Sequence, residues 1–96
     1  MATIQIQGLV KEIKPYDPKK ERGVMRVTDN SHKIGNDGVS SPVAVEYFVL
    51  VKCSLEVWQR YDPIKVATQV AKIAGDFIIA EGKLVIITKP ENIYFC

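Results

Sequence analysis

Polar and apolar residues alternate over Thr3-Ile4-Gln5-Ile6-Gln7, and that period of two, with β-branched residues on one side, predicts a strand with a single buried face. Gly8 interrupts the strand and suits a bulge or sharp coil, the device by which small barrels turn a corner. The next stretch, IKPYDPKKERG, contains Pro15, Pro18 and a cluster of charges, so it reads as a solvated connection. A second strand follows over Val24 to Asp29, with Met25 and Val27 on one face and Arg26 and Thr28 on the other. Asn30 to Pro42 is dense in Asn, Gly, Ser and Asp and reads as a mobile loop. The third strand, VAVEYFVLVKC, is the longest: Tyr47, Val49 and Val51 share one face, and Glu46, Phe48, Leu50 and Lys52 share the other. Because unpaired buried charges are expensive, the face with Glu46 and Lys52 is the wet one.

Helical signals come next. LEVWQRY forms a short helical turn anchored by Trp58. Asp62 is a candidate N-cap, Pro63 suits the first helical position, and Gly75 suits a left-handed C-cap. Between them Val66, Ala67, Val70, Ala71, Ile73 and Ala74 form one apolar stripe at helical spacing. A fourth strand begins at Phe77 and is broken at Glu81-Gly82, where Glu81 faces water and Gly82 relieves a coil. A Lys89-Pro90-Glu91-Asn92 turn then leads to a short fifth strand ending at Cys96. Five strands with two internal glycines, and one helix between strands three and four, describe an all-β five-stranded barrel of the oligonucleotide/oligosaccharide-binding (OB) kind.

Composition adds limits. The 96 residues, 47% hydrophobic, support one core, so the chain reads as a single OB-fold domain over 1–96. Its net charge of +2 is far from that of a strongly basic nucleic-acid binder, but the charge is uneven. Up to Lys33 seven basic residues face four acidic ones; after it, six face seven. Cys53 and Cys96 have no metal-ligand spacing, His32 stands alone, and no apolar run approaches the roughly 20 residues of a membrane-spanning helix. The N-terminus has no signal-peptide pattern. Reduced thiols, a cytoplasmic location, no metal and no membrane are the expectations. No nucleophile has a plausible base and no glycine loop cradles a phosphate, so the chain reads as non-catalytic, without cofactor or small-molecule substrate.

Three stretches resemble the bacterial and phage single-stranded DNA-binding (SSB) proteins. Gly75 to Leu84, GDFIIAEGKL, is similar to that family's G-x-x-V-x-V-E-G-R-L pattern, with Lys83 where arginine is common. IQGLVKEIKPYDPKKERGVMRVT resembles its first two strands and the turn between them, and YFVLVKCSLEV its third strand running into the helix. The departures are specific: Glu46 stands where the family often has tryptophan, Lys52 stands at a later aromatic position, the hairpin between strands four and five is short, and the acidic partner-recruiting tail is missing. The resemblance implies a minimal core that coats single-stranded DNA in a bacterial cell or phage-infected host, and that commonly self-assembles.

Sequence-independent binding of single strands pairs a basic groove with aromatic side chains that stack on bases. Phe48, sharing its face with Lys52 and lying beside Arg26, is the candidate stacker; it would equally serve to cover an apolar patch or a subunit contact. Lys11, Tyr16, Lys19, Lys20 and Arg22 supply a basic first third suited to gripping phosphates, alongside Lys14, and Lys33 could close over a strand from its loop. Trp58, Tyr94 and Phe95 read as packing or subunit-contact residues. RNA binding uses the same chemistry. An OB-fold protein-docking module, a primosome-like adaptor, is the rival reading.

Overall fold

The computed structural model describes residues 2–36 and 39–95, and the side chains of 2–29 and 44–95. Its strands are β1 (Ala2–Ile13), β2 (Arg22–Asn36), β3 (Val39–Lys52), β4 (Val70–Ala80), β5 (Lys83–Thr88) and β6 (Ile93–Phe95), with one-turn helices α1 (Leu55–Trp58) and α2 (Pro63–Ala67) between β3 and β4. The strands are ordered β1-β2-β3-β5-β4, and β4 returns to β1 to close a five-stranded barrel. β6 continues the line of β5 after a Pro90–Asn92 turn and pairs with the start of β4. β3 and β5 run parallel; the other pairings are antiparallel.

Closure depends on β1 serving two neighbours. From Ala2 to Leu9 it pairs with β4, and from Leu9 to Ile13 with β2. Gly8 sits at this switch, where the sequence places a corner, and the register slips between Val10 and Glu12, so Lys11 occupies a bulge. The inward positions of β2 and β3 form the centre of the core: Met25, Val27, Val49 and Val51 are completely buried, joined by Ile73 of β4 and Ile86 of β5. This alternation is the one the sequence shows. It leaves Arg26, Phe48 and Lys52 on the outside.

Three expectations are corrected. The long helix expected from Asp62 to Gly75 is only α2. Asp62 does cap it, accepting from the Ile64 amide at 2.9 Å, but the helix stops at Thr68, whose hydroxyl bonds the Lys65 carbonyl. Ala71 and Ile73 satisfy a period of two as well as one of 3.6. The free edge of β1 decides between them by supplying partners from Phe77 to Val70, and tertiary pairing overrides weak helix propensity. Gly75 therefore lies within a strand and does not end a helix.

Glu81-Gly82 is no coil in a continuous strand. Ala80 pairs with Lys83, and the two residues between them have φ of +52° and +75°, the positive pair demanded by a two-residue type I′ hairpin. The stretch expected as strand four is the end of β4, this turn and β5. Asn30–Pro42, expected as a loop, continues the β2–β3 ladder, with His32 opposite Val43 and Asn36 opposite Val39 beyond a register shift after Asp29.

Trp58 locks the helical crossover to the barrel. Its ring is buried, its indole N–H donates to the Lys14 carbonyl at 3.1 Å, and it meets Tyr61 edge to face, which in turn meets Phe95. Gly23 makes room for it: a methyl added there would fall on the indole ring. Gly23→Ala is expected to cost about 1–3 kcal/mol by overpacking. Urea unfolding followed by fluorescence of the single tryptophan should show an earlier midpoint; an unchanged midpoint would mean that the crossover does not depend on this contact.

Candidate nucleic-acid interface

The outer face of the sheet is arranged in rows fixed by register. Arg26, Phe48, Val85 and Ile78 follow one another across β2, β3, β5 and β4, and beside them run Val24, Leu50, Ile87 and Asp76. Phe48 is half-buried in the middle of this face. The Lys83 ammonium lies 4.9 Å from its ring centre and the Lys14 ammonium 5.9 Å. Both distances are within cation–π range, which is worth about 0.5–1 kcal/mol at exposed sites.

Two of the charged neighbours, Arg26 and Lys14, have partial partners. Arg26 Nη1 is 3.8 Å from Glu46 Oε2, and Lys14 Nζ is 3.9 Å from Glu12 Oε1. Half-exposed pairs at these separations hold their side chains weakly. Arg26 Nε is buried without a hydrogen-bond partner, so part of the guanidinium's donor capacity is unmet.

The structure thus brings together Phe48 and Arg26 as cross-strand neighbours, with Lys52 two positions beyond Leu50 on the same strand face and opposite Arg22. Lys19 and Lys20 lie in the β1–β2 turn, where the Asp17 carboxylate accepts both their amides, at 3.0 and 3.3 Å, and their side chains remain exposed. Lys11 is exposed at the bulge of β1. Tyr16 is tied down: its hydroxyl donates to the Cys53 carbonyl at 2.8 Å, so it braces the β1–β2 turn against the end of β3. Lys33 and His32 lie outside the residues whose side chains are described.

Sequence reasoning missed Lys83 as a member of this face. Its place follows from the hairpin: once Glu81-Gly82 is a two-residue turn, Lys83 opens β5 and shares the outward parity of Val85, the parallel partner of Phe48. Lys14, grouped with the basic turn, reaches the same ring from the end of β1. Among the described residues no three of His, Cys, Asp and Glu converge on a metal-sized site, and no helix is long and apolar enough to cross a membrane.

No protein-family model matches the chain, and no curated protein matches it in sequence. A solved structure, the protein priB from Ralstonia solanacearum, is similar with a TM-score of 0.52 and 16% identity, over 91% of this chain and 91% of that one. At that identity the likeness is one of fold. The barrel is an OB fold. The order read from the sequence therefore holds at the level of fold, with a short helical turn at Leu55–Trp58 as expected and a one-turn α2 where a longer helix was expected.

In several groups of the barrel and its crossover, burial disfavours the charged form. Tyr47 is buried on the inner side of β3, and its phenol is pushed above the usual value of 10.0, first by burial and then by the charge of Asp29. Burial also leads in raising the Tyr16 and Tyr61 phenols, and it raises the Cys53 thiol above 9.0. Each folded value exceeds the unfolded one, so the stability these groups contribute is complete below the unfolded values and is lost as pH rises through the folded ones. Thermal unfolding is expected to occur at lower temperature as pH rises past 9 and more so past 10. A melting temperature flat through pH 10 would contradict this.

Proposed function

We propose that this OB barrel binds single-stranded DNA without sequence preference and without catalysis, through the outer face of β2, β3 and β5. The observation that supports this is the Phe48 ring among the aliphatic Val24, Leu50, Val85 and Ile87 of the sheet face, with two lysine ammonium groups over it and Arg26 beside it. Magnitudes decide what happens when a base arrives. A base stacked on an aromatic ring is worth about 1–3 kcal/mol, more than the cation–π contact of either lysine. A base therefore takes the ring, and Lys14 and Lys83 swing outward on flexible stems to meet the phosphates on either side. Arg26 can exchange its loose contact with Glu46 for a phosphate oxygen. Every base has a π-face, and nothing in this scheme reads a base edge, so binding tolerates any sequence.

A second reading has its own support. Val57, Tyr61, Val66 and Phe95 line a groove of about 320 Å³ on the helical side, next to the exposed Tyr94 of β6. That surface suits docking of a protein, and it is the one to examine if the sheet face binds no nucleic acid.

Fluorescence anisotropy with labelled oligo(dT), a duplex of equal length and oligo(U), at low and high salt, tests the proposal. Single-strand binding should exceed duplex binding, with a salt slope of about −0.7 per neutralised phosphate. Phe48→Ala should weaken binding by about 5- to 150-fold with the slope nearly unchanged. Lys83→Met should weaken it less and flatten the slope by about 0.7. Absence of binding at low salt would overturn the reading, as would full affinity in Phe48→Ala. Preference for oligo(U) would change the ligand to RNA.

A further inference from the structure

Arg22 and Lys52 are direct partners in the β2–β3 ladder, and both lie on the outer face, in line with Val24 and Leu50. Like charges set opposite one another weaken an antiparallel pair. Among the described residues neither has an ion-pair partner. Four acids stand nearby, none of them in an ion pair with either cation among the described residues, although Asp17 faces Arg22 across a β-bridge. Asp17 is engaged with the amides of Lys19 and Lys20. Glu21 lines a depression of about 640 Å³ beside Lys52, together with Lys20 and Tyr16. On the other side of Lys52, Asp76 and Glu91 line a second depression with Lys89. The two opposed cations stand at the end of the sheet, Lys52 bordering an open depression with Lys20, and among the described residues neither has a carboxylate within ion-pair distance, which leaves room for an added anion.

We propose that Arg22 and Lys52, with Lys20 at the rim, form a subsite for a backbone phosphate, and that a bound single strand runs along β3 from Phe48 to the β1–β2 turn. This rests on the reading of the sheet face given above and adds its extent and direction. Phe48 and Lys52 are four residues apart, about 13 Å at 3.3 Å per residue. A stacked strand advancing about 3.4 Å per nucleotide covers that distance in about four nucleotides. Between the two ends lie Val24, Leu50 and Ile87, half-buried and uncharged, a shelf for sugars and base edges. Cations at both ends of an apolar shelf fit a polymer whose charges lie on its backbone and whose bases are flat and apolar on their faces. Tyr16, its hydroxyl held by the Cys53 carbonyl, keeps the wall of the subsite in place.

The test uses the whole chain and two probes. Melting temperature is measured in inorganic phosphate and in chloride at equal ionic strength, for the wild type, Arg22→Met, Lys52→Met and the charge-matched control Lys65→Met on α2. Phosphate should raise the wild-type and control melting temperatures. Arg22→Met and Lys52→Met should each melt higher than the wild type in chloride, because the repulsion is gone, and should lose the phosphate increment. With oligo(dT), each should flatten the salt slope by about 0.7 relative to wild type. A phosphate increment that survives in both variants, or unchanged slopes with oligo(dT) still bound, would overturn the subsite while leaving the face intact. Loss of the increment in a protein that binds no oligo(dT) would uphold the anion site and overturn the nucleic-acid reading.

Discussion

The parallel pairing of β3 with β5, Phe48 against Val85 through Val51 against Thr88, can form only if the chain leaves the end of β3 and returns to run beside it in the same direction. Parallel neighbours need a long crossover, and here α1, α2 and β4 supply it before the hairpin turn at Glu81-Gly82 reverses the chain into β5. Two contacts fix this path. Trp58, buried and bonded to the Lys14 carbonyl, holds the crossover where it leaves β3. The two positive-φ residues set the register where it returns, so Lys83 begins β5 beside Phe48. Together they hold β5 beside β3, which gives the outer face its third strand.

The sheet is unusual in being apolar on both sides. Inward, Met25, Val27, Val49, Val51 and Ile86 are fully buried; outward, the half-buried Val24, Phe48, Leu50, Ile78 and Ile87 lie around the buried Val85, with Arg26, Lys14 and Lys83 as neighbours and Asp76 at the β4 edge. A patch of this kind on the outside of a small barrel is costly to leave facing water. Lys14 and Lys83 cover part of it by setting their ammonium groups over the Phe48 ring. The same two side chains can therefore shield the ring in the free protein and uncover it when something flatter and better matched takes their place.

Much of this was legible from the alternation of residues. The parity of β3 separates Tyr47, Val49 and Val51 from Glu46, Phe48, Leu50 and Lys52, and once Phe48 is assigned to the outer face its pairing with Arg26 follows. Asp62-Pro63 announced the start of a helix correctly. The sequence misled where two periods coincide: Val70 to Ala74 fits a helix or a strand, and only the unpaired edge of β1, a long-range feature, chooses between them. It misled again at Glu81-Gly82, where a glycine compatible with a coil is also the second residue of a hairpin turn. That single ambiguity hid Lys83, because a residue's face depends on which strand it belongs to. The Asn- and Gly-rich composition of residues 30–42 concealed a ladder that continues to Asn36 and Val39.

The division of labour on the proposed face explains why it needs only one aromatic residue. Stacking on a single ring supplies about 1–3 kcal/mol, far short of a useful affinity when association itself costs at least several kcal/mol. The remainder has to come from phosphate contacts, which strengthen as salt is withdrawn and carry no sequence information. Glu46 and Lys52, standing where stacking residues would be expected, shift the balance in that direction: Glu46 restrains Arg26 in the free protein, and Lys52 adds a charge at the far end of the strand. On the proposed reading, such a surface would hold a strand at its two cationic ends and let the bases between them slide over aliphatic side chains. The consequence is a face whose affinity is set by backbone charge and whose register on the strand is set, weakly, by one ring.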